Sequence, residues 1–425
     1  PPLGGGGVQR VLGFTRWLPE HGWDCTVVCA GPEDYWVRDE TLERQVPPAT
    51  EVIRVAGGSA LSTWLRLRRG GGGGRRSGPV FRGLRALSDW WLLPDSYVGW
   101  ARQARRAAAA RLARGDVAAL LSSSPPDSVH LAAGPLARRF RLPWIVDFRD
   151  SWINLHRRRP PTAWHAARQR AMERRVLAGA DLVLATSRAH AGALAHDPAA
   201  AGRRVEFLPN GYEPDPVTEA AVRDPDHFLI VFTGLLTLTP DVETLLEALH
   251  ELFARRPEAR RRIRARLAGA YEADYEDRAV ALGLKGIVDF PGPLPHPQVR
   301  ALQRAADVLI VWKPVGCDVA IPAKIYEYLD AARPILALLE AGDEAARMVG
   351  EAGAVRVAPG DRAALAAEIE RRYLVWRDGG PGAASATEAT RPAWLADHTR
   401  ERLTGRLAGW LDELAAAPRG EGGGQ

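Results

Sequence analysis

The chain has 425 residues, 46% of them hydrophobic and 25% charged, which is enough for two ordinary domains with real cores. No run approaches the roughly 20 apolar residues that span a bilayer. Three cysteines, Cys25, Cys29 and Cys317, show neither disulfide nor metal-ligand spacing, so the chemistry points to a reducing compartment and away from a disulfide scaffold.

In chain order, the first feature is Pro1-Pro2-Leu3-Gly4-Gly5-Gly6-Gly7-Val8-Gln9-Arg10, followed by Val11, Leu12, Thr15 and Leu18 at helical spacing. Glycines let backbone approach a ligand closely, and a helix start offers its positive end to an anion. Strands are expected at 26–30, 52–55, 118–122, 144–148, 182–185 and 205–208, with helices near 128–139, 162–177 and 187–195. Cys25 and Cys29 fall in the first of these runs and are expected to be buried. A second alternating series has strands at 228–232, 263–267, 287–290, 308–312, 335–338 and 355–357. Its helices lie near 242–253, 275–282, 297–304, 323–331, 343–349 and 362–373, and a further helix covers 394–414. Strands alternating with helices through short links predict parallel sheets covered on both faces. The expectation is α/β, with two doubly wound Rossmann-like domains. A glycine turn of this kind normally follows a central first strand, so the reading is of an amino-terminally truncated fragment whose first domain lacks that strand.

Two segments stand apart by composition. Between 61 and 114, twelve arginines face only Asp89 and Asp95, a local excess of ten against +6 for the whole chain. Trp64, Trp90, Trp91 and Trp100 are interleaved with them. Such a mixture suits an anionic membrane surface, and no nucleic-acid motif accompanies it. The alternative is a solvated insert whose arginines follow coding bias. The glycine run at 70–74 and the tail at 417–425 are expected to be disordered.

The segment Pro322-Ala-Lys324-Ile-Tyr-Glu327 places an ammonium and a carboxylate three residues apart on one face of a helix start. That pair suits a diphosphate and a ribose; the plainer reading is a solvated ion pair. Asp224 and Asp226 lie in a linker and His296 at a helix start, so no metal site is expected.

Five ordered segments carry a resemblance: the glycine turn, Ser122-Ser-Ser-Pro-Pro-Asp-Ser128, Pro143-Trp-Ile-Val-Asp147-Phe-Arg149-Asp150-Ser-Trp152, Leu208-Pro-Asn-Gly-Tyr212 and Pro322 to Leu329. With them the chain resembles glycosyltransferase family 4, and most of all a branch in cell-surface polysaccharide or lipopolysaccharide assembly. The resemblance implies the GT-B fold: an acceptor-side domain over 1–209, a hinge over 210–226 and a nucleotide-sugar domain over 227–390, facing across a cleft. A helix at 391–416 would pack back toward the first domain. Donor nucleotide and diphosphate contacts would come from Gly5, Gly6, Gly7, Arg10, Gly234, Lys324 and Glu327. Gln9, Ser124 and Asp147 would line the acceptor side, and Asp150 with Arg149 would take the catalytic position, where Arg149 replaces the histidine usual in the family. The first glutamate of the family's pair is replaced by Val319, with Asp318 adjacent. The stretch 234–240 lacks the arginine and lysine common in relatives, which places more weight on Arg10, Arg149 and Lys324.

The implied activity is transfer of a sugar from a nucleotide-diphosphate sugar to a cell-surface glycan or lipid-linked acceptor, with retention and with neither metal nor cofactor. The implied location is cytoplasmic, peripheral at the inner face of the plasma membrane. A nucleotide-sugar epimerase of the same fold and a non-catalytic sugar-nucleotide-binding subunit of a membrane assembly complex remain as alternatives.

Overall fold

A computed structural model describes residues 3, 6–31, 39–57, 88, 90–152, 160–214, 223–236, 241–271, 274–317, 319–380 and 390–417. The readings of Gly5, Asp318, the 70–74 run, the arginines between 61 and 87 and the tail beyond 417 lie outside the described residues.

Helix α1 (Gly6–Trp17) leaves the glycine turn and buries Leu12 and Phe14. Strands β1 (Thr26–Ala30) and β2 (Glu51–Val55) pair in parallel beneath α2 (Val98–Leu112), which buries Trp100, Ala101 and Ala104 against Val28, Ala30 and Val55. Helix α2 was not expected from the sequence: two of its four buried positions are alanines, which leave a faint apolar stripe. Cys25 and Cys29 are half-buried, and burial pushes the Cys25 thiol up to about 11.

Four further strands alternate with helices: β3 (Leu120–Ser124), α3 (Ser128–Phe140), β4 (Trp144–Phe148), α4 (Ala163–Gly179), β5 (Leu182–Ala185), α5 (Arg188–Ala195) and β6 (Arg204–Phe207). They form a parallel sheet in the order β3-β4-β5-β6. Strand β3 begins two residues later than the expected 118, since Leu120 is the first residue to pair with β4. Thr162 and Ser187 accept from His165 N and His190 N and so cap α4 and α5. Among the described residues the β1–β2 pair and the four-stranded sheet are not hydrogen-bonded to each other.

The second domain runs β7 (Phe228–Thr233), α6 (Asp241–Arg255), β8 (Ile263–Ala268), α7 (Tyr275–Ala281), β9 (Val288–Gly292), α8 (His296–Ala305), β10 (Val308–Trp312), α9 (Lys324–Ala331), β11 (Ile335–Leu338), α10 (Glu344–Gly350), β12 (Val355–Val357) and α11 (Arg362–Gly379). Its sheet order is β12-β11-β10-β7-β8-β9. Strand order therefore reverses between β7 and β10, and the crevice beyond their carboxyl ends is the favoured ligand position in such sheets. Both faces are covered: Phe228, Ile230 and Phe232 pack on α6 and α11, and Val231, Leu309 and Val311 on α9 and α10. Strands buried on both sides explain the near-continuous apolar runs in the sequence.

The chain crosses between domains twice, and the crossings touch. Tyr212 N donates to His398 O at 3.2 Å and Arg400 N to Tyr212 O at 2.9 Å, forming a parallel bridge between Tyr212 and Thr399. Gly211 has φ +63°, and a Cβ there would stand 2.5 Å from Leu403 Cδ1 and 2.7 Å from His398 O. The close crossing therefore depends on glycine. It also divides the helix expected over 394–414: a short 3-10 turn (Ala393–His398) ends at the bridge, and α12 (Arg400–Ala416) starts afresh with Thr399 as its cap. Helix α12 lies on the first domain, where Leu403, Leu407, Trp410 and Leu411 join Phe14, Ile145, Leu182 and Leu184.

Candidate active site between the two domains

On the second-domain side, β7 ends at Gly234 and α9 begins at Lys324. The Lys324 ammonium lies 3.4 Å from the centroid of the Phe232 ring, which itself stacks on Trp312. A Cβ at Gly234, whose φ is +118°, would meet Lys324 Cε and Nζ at 2.9 Å. A Cβ at Gly269, after β8, would stand 1.7 Å from Gly234 O. These two glycines let the strand ends close up beneath the lysine. Burial pushes Lys324 down to about 7, with the Glu327 carboxylate opposing.

One turn on, Glu327 accepts from His296 Nε2 at 3.0 Å and from Gln303 Nε2 at 2.9 Å. Arg300 donates to the Glu327 carbonyl at 2.8 Å and to Gln303 Oε1 at 2.7 Å, and pairs with Asp330. Burial alone would lift the Glu327 carboxyl, but the His296 hydrogen bond and the His296 and Arg300 charges hold it at about 2. It is thus a fixed carboxylate with lone pairs to spare on each oxygen. Lys324 and Glu327 are each half-buried and each held by its own partners, Phe232 for the ammonium and His296 with Gln303 for the carboxylate.

On the first-domain side, Arg149 follows β4. Its Nε donates to Ser124 O at 2.8 Å and its Nη2 to Pro125 O at 2.6 Å. Its Nη1 lies over Gly7, where a Cβ would stand 1.8 Å away. The glycine turn therefore makes room for this guanidinium, and burial lowers the Arg149 pKa. Asp150 follows in the same loop, and its charge acts on Arg149. Gly6 opens α1 beside Gly7.

Four expected site residues, Arg10, Asp147, Ser124 and Gln9, take other positions. Arg10 grips Asp147 with two bonds, Nη2 to Oδ1 at 2.7 Å and Nε to Oδ2 at 3.1 Å, and gives Nη1 to Pro209 O at 2.5 Å. The two side chains are only 1% and 0% exposed, so Arg10 is not offered to a diphosphate, nor Asp147 to an acceptor. Burial would raise the Asp147 carboxyl, but the Arg10 charge and its hydrogen bonds, with that of Ser123, hold it low. Ser124 Oγ is likewise buried and faces no solvent. Gln9 accepts from Arg400 Nη2 at 2.8 Å.

Arg400 itself escaped the sequence reading. It sits at the second crossing, buried, with its aliphatic stem against Gly13 and its charge coupled to Glu213 and Glu327. Nothing in its neighbourhood of sequence marks it, because its partners Gln9, Glu213 and Glu327 are all distant from it along the chain. At Val319, where the resemblance expects a carboxylate, the backbone carbonyl accepts from Ser187 Oγ of the first domain at 2.6 Å. Three more bonds join the domains: Glu344 accepts from Arg188 N and Ala189 N at 3.1 and 3.0 Å, and His296 N donates to Asp39 at 3.1 Å. The strand ends of the two domains thus face one another across a cleft. Among the described residues no three His, Cys, Asp or Glu side chains are placed to share a metal ion.

Comparison with known proteins agrees with this architecture. Residues 5–211 match a family model described as a glycosyl transferase 4-like domain, and residues 227–373 one described as glycosyl transferases group 1. The chain belongs to the glycosyltransferases. No curated protein matches it in sequence. Among solved structures, this glycosyltransferase is similar to one from Rickettsia africae at 13% identity and a TM-score of 0.63, over 97% of this chain and 96% of that one. It is similar to Anabaena HepE, solved in complex with UDP, at 16% identity and a TM-score of 0.54, over 96% of each chain. A sucrose-phosphate synthase from Thermosynechococcus elongatus aligns at 16% identity and a TM-score of 0.58, over 97% of this chain and 92% of that one. The two-domain architecture is the GT-B fold.

Proposed function

We propose that this glycosyltransferase moves a sugar from a nucleotide-diphosphate sugar to a cell-surface glycan or lipid-linked acceptor, with retention and without a metal. The observation that carries the donor reading is Lys324: an ammonium held at a helix start, over an aromatic face, at the switch point of a parallel sheet. HepE, whose structure has also been solved with UDP and glucose, supports a diphosphate ligand at this architecture. When the bond between sugar and diphosphate breaks, negative charge grows on the departing phosphate oxygen. Lys324 and the N–H groups opening α9 meet that charge from one domain and Arg149 from the other. Glu327 takes the ribose hydroxyls. Asp150, in the loop that carries Arg149, orients the acceptor hydroxyl or the donor sugar. Arg10 and Asp147 become positioning residues that fix α1 to the end of β4.

The test is incubation of the full chain with a panel of nucleotide sugars, following nucleoside diphosphate release with and without lipid-linked and soluble glycan acceptors. Acceptor-dependent release, with the sugar recovered on the acceptor, is expected. Interconversion of the sugar without release would point to an epimerase, and binding without turnover to a non-catalytic subunit.

A further inference from the structure

We infer that the rim of the first domain around Trp90, Trp91 and Trp164 docks on an anionic lipid bilayer at the acceptor mouth of the cleft. These are the three most exposed aromatic side chains among the described residues, at 52%, 82% and 60%. Two segments far apart in sequence build the cluster. Trp90 and Trp164 each pack edge-on against the ring of His165, with centroids 5.1 and 4.9 Å from it. The histidine is fixed from both sides, since Thr162 Oγ1 donates to its Nδ1 at 2.7 Å and its Nε2 donates to Trp90 O at 3.1 Å. A buried polar ring thus holds two large indoles outward, where each leaves apolar surface in water.

The place of the cluster gives it a purpose. The segment carrying Trp90 crosses the amino-terminal ends of α3 and α4. Asp95 accepts from Ser128 N at 2.8 Å and Ser128 Oγ at 2.9 Å, and Gln169 Nε2 donates to Pro94 O at 2.8 Å. Those helix starts follow the carboxyl ends of β3 and β4, the strands that deliver Ser124, Arg149 and Asp150. The indoles therefore lie at the rim on the acceptor side.

The charge around the cluster selects the partner. Helix α4 exposes Arg168, Arg170 and Arg175, with Arg174 paired to Asp197, and its one carboxylate, Glu173, is buried and pushed up to about 7 by burial. Arg168 lies over the Trp164 ring at 5.9 Å. Helix α2 exposes Arg102, Arg105 and Arg106 and contains no acidic residue. Indoles settle at the headgroup level of a bilayer while arginines meet anionic lipid, which fits this combination better than a protein or nucleic-acid partner. The surface deepens the lipid-linked acceptor reading and rests on it for its purpose, though not for its existence.

Co-sedimentation of the full chain with mixed phosphatidylglycerol–phosphatidylcholine vesicles, and with phosphatidylcholine alone, tests this. Wild type is expected to bind the mixed vesicles preferentially and to be partly released by salt. Trp91→Ser with Trp164→Ser should lower binding about ten-fold or more. Arg168→Ser with Arg170→Ser should lower it about five-fold for each arginine removed. All these side chains are exposed, and melting temperature and nucleoside diphosphate affinity should stay at wild-type values. A wild type that ignores both vesicle types, or variants that bind as well as wild type, overturns the inference. A chain that binds nucleoside diphosphate and not vesicles leaves the transferase reading standing. One that docks on vesicles and binds no nucleoside diphosphate keeps the docking surface and removes the transferase reading.

Discussion

Replacing Lys324 by methionine separates what this residue does for the ligand from what it does to the fold. Methionine keeps most of the aliphatic volume beside Gly234 and Phe232 and removes the charge. In the free protein, burial holds Lys324 at about 7, against 10.5 for an ordinary lysine. Between those two pH values the unfolded chain binds the proton and the folded one does not. As pH falls through that window the folded state loses relative stability, and the loss is complete below about 7. Lys324→Met should therefore raise the melting temperature at neutral pH. A bound diphosphate acts in the opposite direction by stabilising the ammonium. The contact is a charge-assisted one, worth about 1.5–3 kcal/mol, so the variant should lose about ten- to hundred-fold in nucleoside diphosphate affinity and little for the nucleoside. Above pH about 7 the wild type must take up a proton to bind, so its affinity should fall with pH, toward ten-fold per unit, while that of the variant stays flat. Calorimetry in buffers of different ionisation enthalpy measures both affinity and proton uptake. Equal losses for diphosphate and nucleoside, or a wild-type affinity indifferent to pH between 7 and 9, would refute the assignment.

Glu327→Gln should cost about 1.5–3 kcal/mol of stability at neutral pH, because the carboxylate that His296 and Gln303 hold is replaced by a neutral amide. The depressed carboxyl contributes stability above about 4.5 that is lost as pH falls toward about 2, so urea titrations should show the two proteins converging in that window. The variant should also lose preference for ribose over deoxyribose nucleotides, and an undiminished preference would count against the ribose contact. Arg10→Ala leaves Asp147 charged and buried, and should cost about 3–5 kcal/mol in chemical denaturation. An unchanged midpoint with lost nucleotide affinity would return Arg10 to the ligand. Asp150→Asn should cut turnover about a hundred-fold or more with nucleotide affinity intact; near-normal turnover would assign the residue to loop structure alone.

The strand–helix alternation was legible in the sequence because parallel strands buried on both faces are nearly continuously apolar, and short runs rich in β-branched and aromatic residues such as Val308–Trp312 and Phe228–Thr233, bounded by breakers, fit that use. Lys324 and Glu327 were legible as well, since neighbours on one helix face are set by helical geometry. Glycine positions showed where backbone is pressed, but not by what: Gly7 yields to Arg149, and Gly211 to the second crossing of the chain. Arg10 read as a phosphate ligand because a cation after a glycine turn looks the same whether it faces solvent or a carboxylate 137 residues away. The pairing with Asp147, the placement of Arg400 between Gln9 and the cleft, the division of the last helix at Thr399 and the meeting of Trp90 with Trp164 over His165 are all long-range. Sequence periodicity decides what a segment buries, through local geometry. Which distant charge, ring or carbonyl it is buried against is settled only when the two domains and their crossings close on one another.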